Sequence, residues 1–195
     1  HKPFTPSCHL KISEDVLQIH SEHYKGPDQL QEGAALVVGA GDSGVQILNE
    51  ISQTNKVVYF SGNTNIFSLP QEFLGKTLWW WFTKVGFLTA NKYSWIGKKL
   101  SNRGQPVIGT DVKALFKKQN VICVGRTLDD KDETIIFEKQ EVSDIKNIVW
   151  ATGFKPNFSW IDGIELDPSN YPKNYRGVST TIDGLYFLGL PWLYT

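Results

Sequence analysis

Hydrophobic residues along the first part of the chain fall into short runs whose spacing alternates between strand-like and helix-like. The unbroken apolar run at residues 34–38 is typical of a strand that is buried on both faces. Residues 43–52 then carry apolar side chains at helical spacing, and residues 56–60 form a second strand-like run. The pattern predicts a β-α-β unit whose strands are parallel.

The remainder of the chain is predicted to add one helix, several strands and an apolar segment. The segment at residues 73–90 contains Lys76 and Lys84, which interrupt it before it reaches the roughly 20 apolar residues that a bilayer requires. We therefore expect a buried or groove-lining helix there and no membrane span. The other predictions are a helix at 111–118, strands at 121–124, 134–139, 144–154 and 184–190, and a turn at the charged run 128–133.

Composition narrows the classes of partner. The 195 residues include 20 basic and 20 acidic ones, so no global field favours nucleic acid or an anionic membrane. Cys8 and Cys123 lie far apart without a CxxC motif, which argues against a disulfide framework, a dithiol redox centre and a structural zinc site. These features favour a protein of the reduced cytoplasm.

The stretch VVGAGDSGVQILNEI contains G-x-G-x-x-G between the first predicted strand and the first helix. In a dinucleotide site, Gly39 would permit the tight turn, Gly41 would let the backbone approach a pyrophosphate, and Gly44 would let the helix pack closely. Asp42 and Ser43 begin the helix, whose free N–H groups attract negative charge. We expect the Asp42 carboxylate to point away from the phosphate. The alternative is a merely tight strand-to-helix turn.

The end of the second strand indicates which dinucleotide is preferred. An NAD site usually places an acidic residue there to hold the ribose hydroxyls. This chain has Ser61 and Asn63, which leave room for a 2′-phosphate and do not repel it, so NADPH is favoured. No arginine stands at the end of this strand to bind that phosphate, and Lys76 or Lys84 is an alternative source of charge.

Several stretches together resemble the flavin-dependent, NADPH-using monooxygenases. They are QIHSEHYK, VVGAGDSG, SLPQEFLGK, VWATGFKPNFSW and TTIDGLYFLGLPWLYT. The resemblance is to the bacterial branch that is similar to plant indole-pyruvate monooxygenases and to flavoproteins linked to cation transport. It implies an α/β fold in which a three-layer, Rossmann-like NAD(P)H-binding domain is inserted in a second, here incomplete, FAD/NAD(P)-type domain. The implied bounds are 31–149 for the NADPH domain, 1–30 for a linker and remnant of the FAD domain, and 150–195 for the return into the FAD domain.

The resemblance also implies cofactor contacts outside the glycine turn. His20 and Ser21 match half of a family signature, and His20 is either a buried loop histidine or an interdomain contact near the nicotinamide. Gly189 is expected to contact the flavin through its backbone. The strand predicted at 144–154 ends in the small residues Ala151, Thr152 and Gly153. Small residues would let the backbone lie against a flat or phosphorylated ligand, although they also end ordinary strands.

The activity that the resemblance implies is reduction of FAD by NADPH, followed by oxygen activation and monooxygenation of a small organic substrate. The flavin carries this chemistry, so no catalytic side chain is expected. Because the chain has one G-x-G-x-x-G, of the NADPH type, we expect a fragment that lacks the FAD fingerprint and is inactive alone. A homodimer is possible. The alternative function is an NADPH- and FAD-binding accessory or sensor protein linked to cation transport, without oxygenase activity.

Overall fold

The structure is a computed structural model that describes residues 1–6, 13–84, 106–131 and 134–190. The chain divides into two compact units. We call the first the sheet unit, which comprises Pro3–Gln71 and Gln105–Gly153. The second unit comprises His1–Lys2, Glu72–Gly104 and Phe154–Thr195. The domain bounds expected at residues 31 and 149 stay a prediction.

The regular elements are short. The helices are α1 (Asp42–Ile51), α2 (Leu78–Lys84) and α3 (Val112–Leu115), with a 3-10 turn at Pro27–Gln29. The strands are β1 (Lys2–Pro3), β2 (Leu17–His20), β3 (Ala34–Val38), β4 (Val58–Ser61), β5 (Ser68–Leu69), β6 (Glu72–Phe73), β7 (Lys76–Thr77), β8 (Val107–Ile108), β9 (Val121–Gly125), β10 (Thr127–Lys131), β11 (Thr134–Phe137), β12 (Glu141–Val142), β13 (Ile145–Trp150), β14 (Phe154–Lys155), β15 (Asn174–Tyr175) and β16 (Val178–Ser179).

A five-stranded sheet in the order β2-β13-β3-β4-β9 organises the sheet unit. All four neighbouring pairs are parallel. Such strands are buried on both faces, which explains why β3 reads as a continuous apolar run. The β-α-β unit predicted at residues 34–60 is confirmed by β3, α1 and β4.

Packing on the two faces of the sheet gives the unit three layers. On one face Val37 packs in a core cluster with Leu48 of α1 and Leu115 of α3. On the other face Leu36 packs in a second cluster with Ile135 of β11. Successive strand residues point to opposite faces, so Leu36 and Val37 serve different layers. One layer is helical, and the other is the antiparallel sheet β10-β11-β12. The predicted α/β, Rossmann-like fold class is confirmed for this unit.

The amino ends of β3 and β13 are joined through one buried side chain. Asn147 is 0% exposed. Its Oδ1 accepts the Gln31 N–H at 2.8 Å, and its Nδ2 donates to the carbonyls of Gln31 at 3.1 Å and Ala34 at 3.3 Å. A buried amide is tolerated because its polar atoms are bonded.

Strands β9, β11 and β13 confirm the predictions at 121–124, 134–139 and 144–154. The helix predicted at 111–118 is shorter, because only α3 is helical, with the Asp111 side chain accepting the Ala114 N–H at 3.0 Å. The turn predicted at 128–133 is wrong for residues 128–131, which belong to β10 and pair antiparallel with β11. Their charges fit an edge strand, one side of which faces solvent.

Two predictions in the second unit are corrected. The strand predicted at 184–190 is absent, because Tyr186 makes only an isolated bridge to Val178 and Leu188 is 98% exposed. The helix predicted at 73–90 starts later: residues 72–77 form the hairpin β6-β7, and only then does α2 begin. Helix α2 is not buried as expected, since Trp79 is 53% exposed. Residues 85–90 of that prediction lie outside the described residues. In the part of the chain described, no helix is long and apolar enough to cross a membrane.

The amide of Asn147 generates the first testable prediction. Asn147→Ala removes three hydrogen bonds, to the Gln31 N–H and to the carbonyls of Gln31 and the buried Ala34, so the free energy of unfolding should fall by about 2 kcal/mol. Asn55→Ala, at an exposed asparagine, is the matched control and should change stability by less than about 0.5 kcal/mol. Urea unfolding of both variants measures the difference. Equal stability of the two variants would contradict the role assigned to Asn147.

Candidate functional site

The carboxyl ends of the five parallel strands are joined by main-chain hydrogen bonds that continue past the strands themselves. Each bond links the end of one strand to the end of its neighbour, so the ends form one aligned edge. We call this edge the carboxyl row. From β2 to β9 its bonds run from Ser21 N–H to Trp150 O at 2.9 Å, Ala151 N–H to Val38 O at 2.8 Å, Gly39 N–H to Ser61 O at 2.9 Å and Gly62 N–H to Gly125 O at 3.0 Å.

The order of the strands places a topological switch point in the middle of this row. From β3 the chain moves to β4 and then β9 on one side, and it returns as β13 on the other side of β3. Ligands of open α/β sheets bind at such a switch point, outside the carboxyl ends of the strands. The glycine turn that follows β3 lies at this point.

The glycines of the turn have different surroundings. A Cβ on Gly39, whose φ is 126°, would lie 2.1 Å from the carbonyl oxygen of Ala151. A Cβ on Gly44 would lie 2.1 Å from the carbonyl oxygen of Gly39. A Cβ on Gly41 would meet nothing within 4 Å. Of the three glycines of the turn, packing therefore requires Gly39 and Gly44 but not Gly41. The open space at Gly41 is suited to close approach by a ligand.

Helix α1 begins at the turn without a side-chain cap. Its first internal bond runs from the Val45 N–H to Gly41 O at 3.0 Å, so the N–H groups of the preceding residues have no carbonyl one turn back to bond. The Asp42 carboxylate accepts a bond from Gln46 Nε2 at 2.9 Å, one turn further along the helix. Free donors and the positive end of the helix dipole fit a pyrophosphate at this position.

The small residues after β13 lie beside the glycine turn. Ala151 is bonded to β3 and contacts Gly39, as described above. Thr152 donates its hydroxyl to the carbonyl of Phe4. Gly153 has a φ of 80° and open space at its missing Cβ. Its carbonyl accepts the Phe4 N–H at 2.9 Å. The structure thus brings this group to the same part of the carboxyl row as the glycine turn.

His20 ends β2 at the outer end of the carboxyl row and is 9% exposed. Its Nε2 lies 3.1 Å from the carbonyl oxygen of Gly153, and its Nδ1 accepts the Glu22 N–H at 3.1 Å. These bonds correspond to the tautomer with its proton on Nε2. Both ring nitrogens are used within the chain, which favours a positioning role for His20 over direct ligand contact. The adjacent Ser21 is half-buried.

Tyr24 follows His20 and Ser21 in the stretch QIHSEHYK. Its ring packs against the helical side of the core. Burial, reinforced by the nearby Glu50 carboxylate, raises the pKa of the phenol above its ordinary value. The side chain therefore stays protonated and neutral near pH 7, and it acts as a packing residue below the carboxyl row.

The residues expected near the ribose occupy the end of β4, on the other side of the turn. Ser61 is 2% exposed, and its hydroxyl lies 2.8 Å from the hydroxyl of Thr127. Asn63 is exposed, and its Oδ1 accepts the Asn65 N–H at 2.9 Å. Of the two, Asn63 is the more accessible to a ligand. Gly189 belongs to the second unit, where it is exposed and has a φ of 78°.

Sequence reasoning missed the neighbours that β9 supplies to this part of the site. Gly125, Arg126 and Thr127 follow one another and are far from Ser61 along the chain. The parallel pairing of β4 with β9 sets Ser61 opposite Gly125. The signal available in the sequence was the VGR triplet at residues 124–126, which ends the strand β9, since a doubly wound sheet places that strand beside β4.

Other kinds of chemistry have little support at the site. Among the described residues, no group of three or more His, Cys, Asp or Glu could hold a metal ion. Cys123 lies in β9 and is half-buried. Burial raises the pKa of its thiol, with Lys139 acting weakly in the opposite direction, so the reactive thiolate is disfavoured.

The fold and the glycine turn define an α/β protein of the Rossmann-like class. Residues 15–73 match the family described as flavin-binding monooxygenase-like. Over 194 residues the chain is 39% identical to "Uncharacterized oxidoreductase CzcO-like" of Geobacillus kaustophilus, covering 99% of this chain and 55% of the relative. It is 38% identical over 194 residues to "Uncharacterized oxidoreductase CzcO" of Bacillus subtilis, covering 98% and 55%.

A solved structure shares the fold. A mutant flavin monooxygenase from Stenotrophomonas maltophilia has a TM-score of 0.69 and 18% identity, covering 98% of this chain and 53% of that one. The chain spans about half the length of the curated relatives that it matches. The match at residues 15–73 and these relatives confirm the resemblance to flavin-dependent monooxygenases that the sequence predicts.

The unequal surroundings of the glycines generate the second testable prediction. Gly44→Ala places a methyl group against the Gly39 carbonyl inside a packed contact, so it should lower the free energy of unfolding by about 3 kcal/mol. Gly41→Ala meets open space and should cost at most about 1 kcal/mol, because alanine is a poorer N-cap than glycine. Thermal or urea unfolding of the two variants measures this. A Gly41 variant as unstable as the Gly44 variant would show that Gly41 is required for packing.

Proposed function

We propose that the sheet unit binds NADPH and that the protein is a flavin-dependent oxidoreductase. The observation that carries the proposal is the space at Gly41: the turn holds a glycine that packing does not require, beside the uncapped start of α1. A dinucleotide pyrophosphate is the ligand that uses both features. The family described as flavin-binding and the relatives named as oxidoreductases support the same proposal.

The residues of the turn would hold the pyrophosphate without using a side chain. The backbone at Gly41 allows close approach, and the N–H groups of Asp42 and Ser43 supply hydrogen bonds. The Asp42 carboxylate, bonded to Gln46 along the helix, repels the phosphate less than a carboxylate turned toward it would. Asn63 lies at the end of β4, where the adenosine ribose of a bound dinucleotide is expected.

We further propose that FAD is the second cofactor and that the reaction is monooxygenation of a small organic substrate. Bound FAD would accept hydride from NADPH and activate oxygen. The chain's contribution is to bind the nicotinamide dinucleotide and orient it, and to exclude water from the reacting groups. The backbone at Ala151, Thr152 and Gly153 is proposed to contact the flavin, as the resemblance implies.

The third testable prediction concerns dinucleotide binding. Gly41→Ala should lower the affinity for NADPH at least about tenfold, because the methyl group of alanine occupies the space that the pyrophosphate approaches. Gln53→Ala, at an exposed residue just beyond the other end of α1, is the control and should leave the affinity unchanged. Calorimetric titration with NADPH measures both variants, and the unfolding curve of each confirms that it is folded.

Two results would reject the proposed site. Absence of NADPH binding by the unaltered protein would reject the function itself. Equal affinity of the unaltered protein and the Gly41 variant would reject the glycine turn as the pyrophosphate site. Oxygen consumption that depends on both NADPH and added FAD would support an oxidoreductase and would contradict the expectation that the chain is inactive alone.

A further inference from the structure

Arg126 is an exposed cation held beside the end of β4 by its two chain neighbours. Gly125, which precedes it, accepts the Gly62 N–H at 3.0 Å. Thr127, which follows it, has its hydroxyl 2.8 Å from that of the buried Ser61. Because consecutive Cα atoms are about 3.8 Å apart, Arg126 has little freedom to move away from β4.

The Arg126 guanidinium is available for a ligand. The residue is exposed. Neither of the ion pairs found among the described residues involves it. The Glu138 carboxylate accepts the backbone N–H of Arg126 at 2.8 Å and so serves the main chain. A guanidinium on a fixed backbone, without a partner inside the described part of the chain, is suited to a phosphate.

We propose that Arg126 recognises the 2′-phosphate of NADPH and so determines the preference for NADPH over NADH. The inference rests on the proposed function, because it assumes that the pyrophosphate lies at the start of α1. A dinucleotide bound there directs its adenosine ribose to the end of the second strand, which is β4. Ser61 and Asn63 at that end carry no charge, so the neighbouring strand supplies the cation that β4 lacks.

Glu138 sets a limit on this preference. A Cβ on Gly125 would lie only 2.7 Å from Glu138 Oε2, which shows how closely the carboxylate packs against the end of β9. Its negative charge opposes a 2′-phosphate bound by Arg126. Glu138→Gln keeps an oxygen that can accept the Arg126 N–H but removes the charge. This variant should therefore bind NADPH more tightly, with little change for NADH.

The experiment compares the variants Arg126→Gln and Lys131→Gln with the unaltered protein. Lys131→Gln is the matched control, because Lys131 is exposed at the other end of β10 and its substitution also removes one positive charge. It lies roughly 15 Å along the strand, beyond the screening length of about 8 Å at physiological salt. Calorimetry with NADP⁺ and NAD⁺, and with 2′,5′-ADP and 5′-AMP as probes of the adenosine end, measures affinity without any turnover.

We expect Arg126→Gln to lower the affinity for NADP⁺ and 2′,5′-ADP at least about tenfold, because it removes a charge-assisted bond. The affinity for NAD⁺ and 5′-AMP should change by less than about twofold. Lys131→Gln should change none of these affinities. Unchanged binding of NADP⁺ by the Arg126 variant would overturn the proposal, as would an equal loss for NADP⁺ and NAD⁺, which would assign Arg126 a general positioning role. If the unaltered protein binds neither dinucleotide, the proposed function fails and this inference with it. Thermal unfolding confirms that each variant is folded.

Discussion

Main-chain hydrogen bonding across the ends of five parallel strands decides where the functional groups of this protein lie. Parallel pairing aligns strands that are distant in sequence, and the bonds of the carboxyl row carry that alignment into the loops. His20, Ala151, Gly39, Ser61 and Gly125 therefore follow one another along one edge. Because these bonds involve the backbone, the alignment does not depend on which side chains the loops carry, and the loops remain free to supply chemistry.

Close packing at the centre of this edge adds a constraint that does depend on sequence. The Gly39 carbonyl occupies the space that a side chain at Gly44 would need, and the Ala151 carbonyl occupies that of a side chain at Gly39. The turn, the helix start and the end of β13 are thus in direct contact. A displacement of any one of them would move the start of α1 relative to β13, which explains how a site built from backbone groups keeps its geometry.

Local pattern predicted the centre of the fold well and its periphery poorly. Strand β3, α1 and the glycine turn were predictable because burial on both faces, helical spacing and backbone sterics all act within a few residues. Residues 128–131 were not, because a charged strand is stabilised by pairing with β11, and that pairing is not encoded in its own composition. Residues 184–190 show the opposite case, because their sequence is apolar and typical of a strand, yet they form only an isolated bridge. Arg126 was missed because its neighbours in space come from β4.

The same division between local and distant information bears on cofactor preference. A glycine turn identifies a pyrophosphate site from one contiguous stretch, because strand, turn and helix start belong to one β-α unit. The charge that distinguishes NADPH from NADH need not belong to that unit. Strand β4 ends in uncharged residues, while β9, which pairs with it, ends beside an arginine and a carboxylate. In a parallel sheet a neighbouring strand reaches the same edge, so the charges close to the end of β4 include those that β9 supplies. A prediction of cofactor preference from the end of the second strand alone therefore leaves out Arg126 and Glu138, the charged residues beside the end of β9.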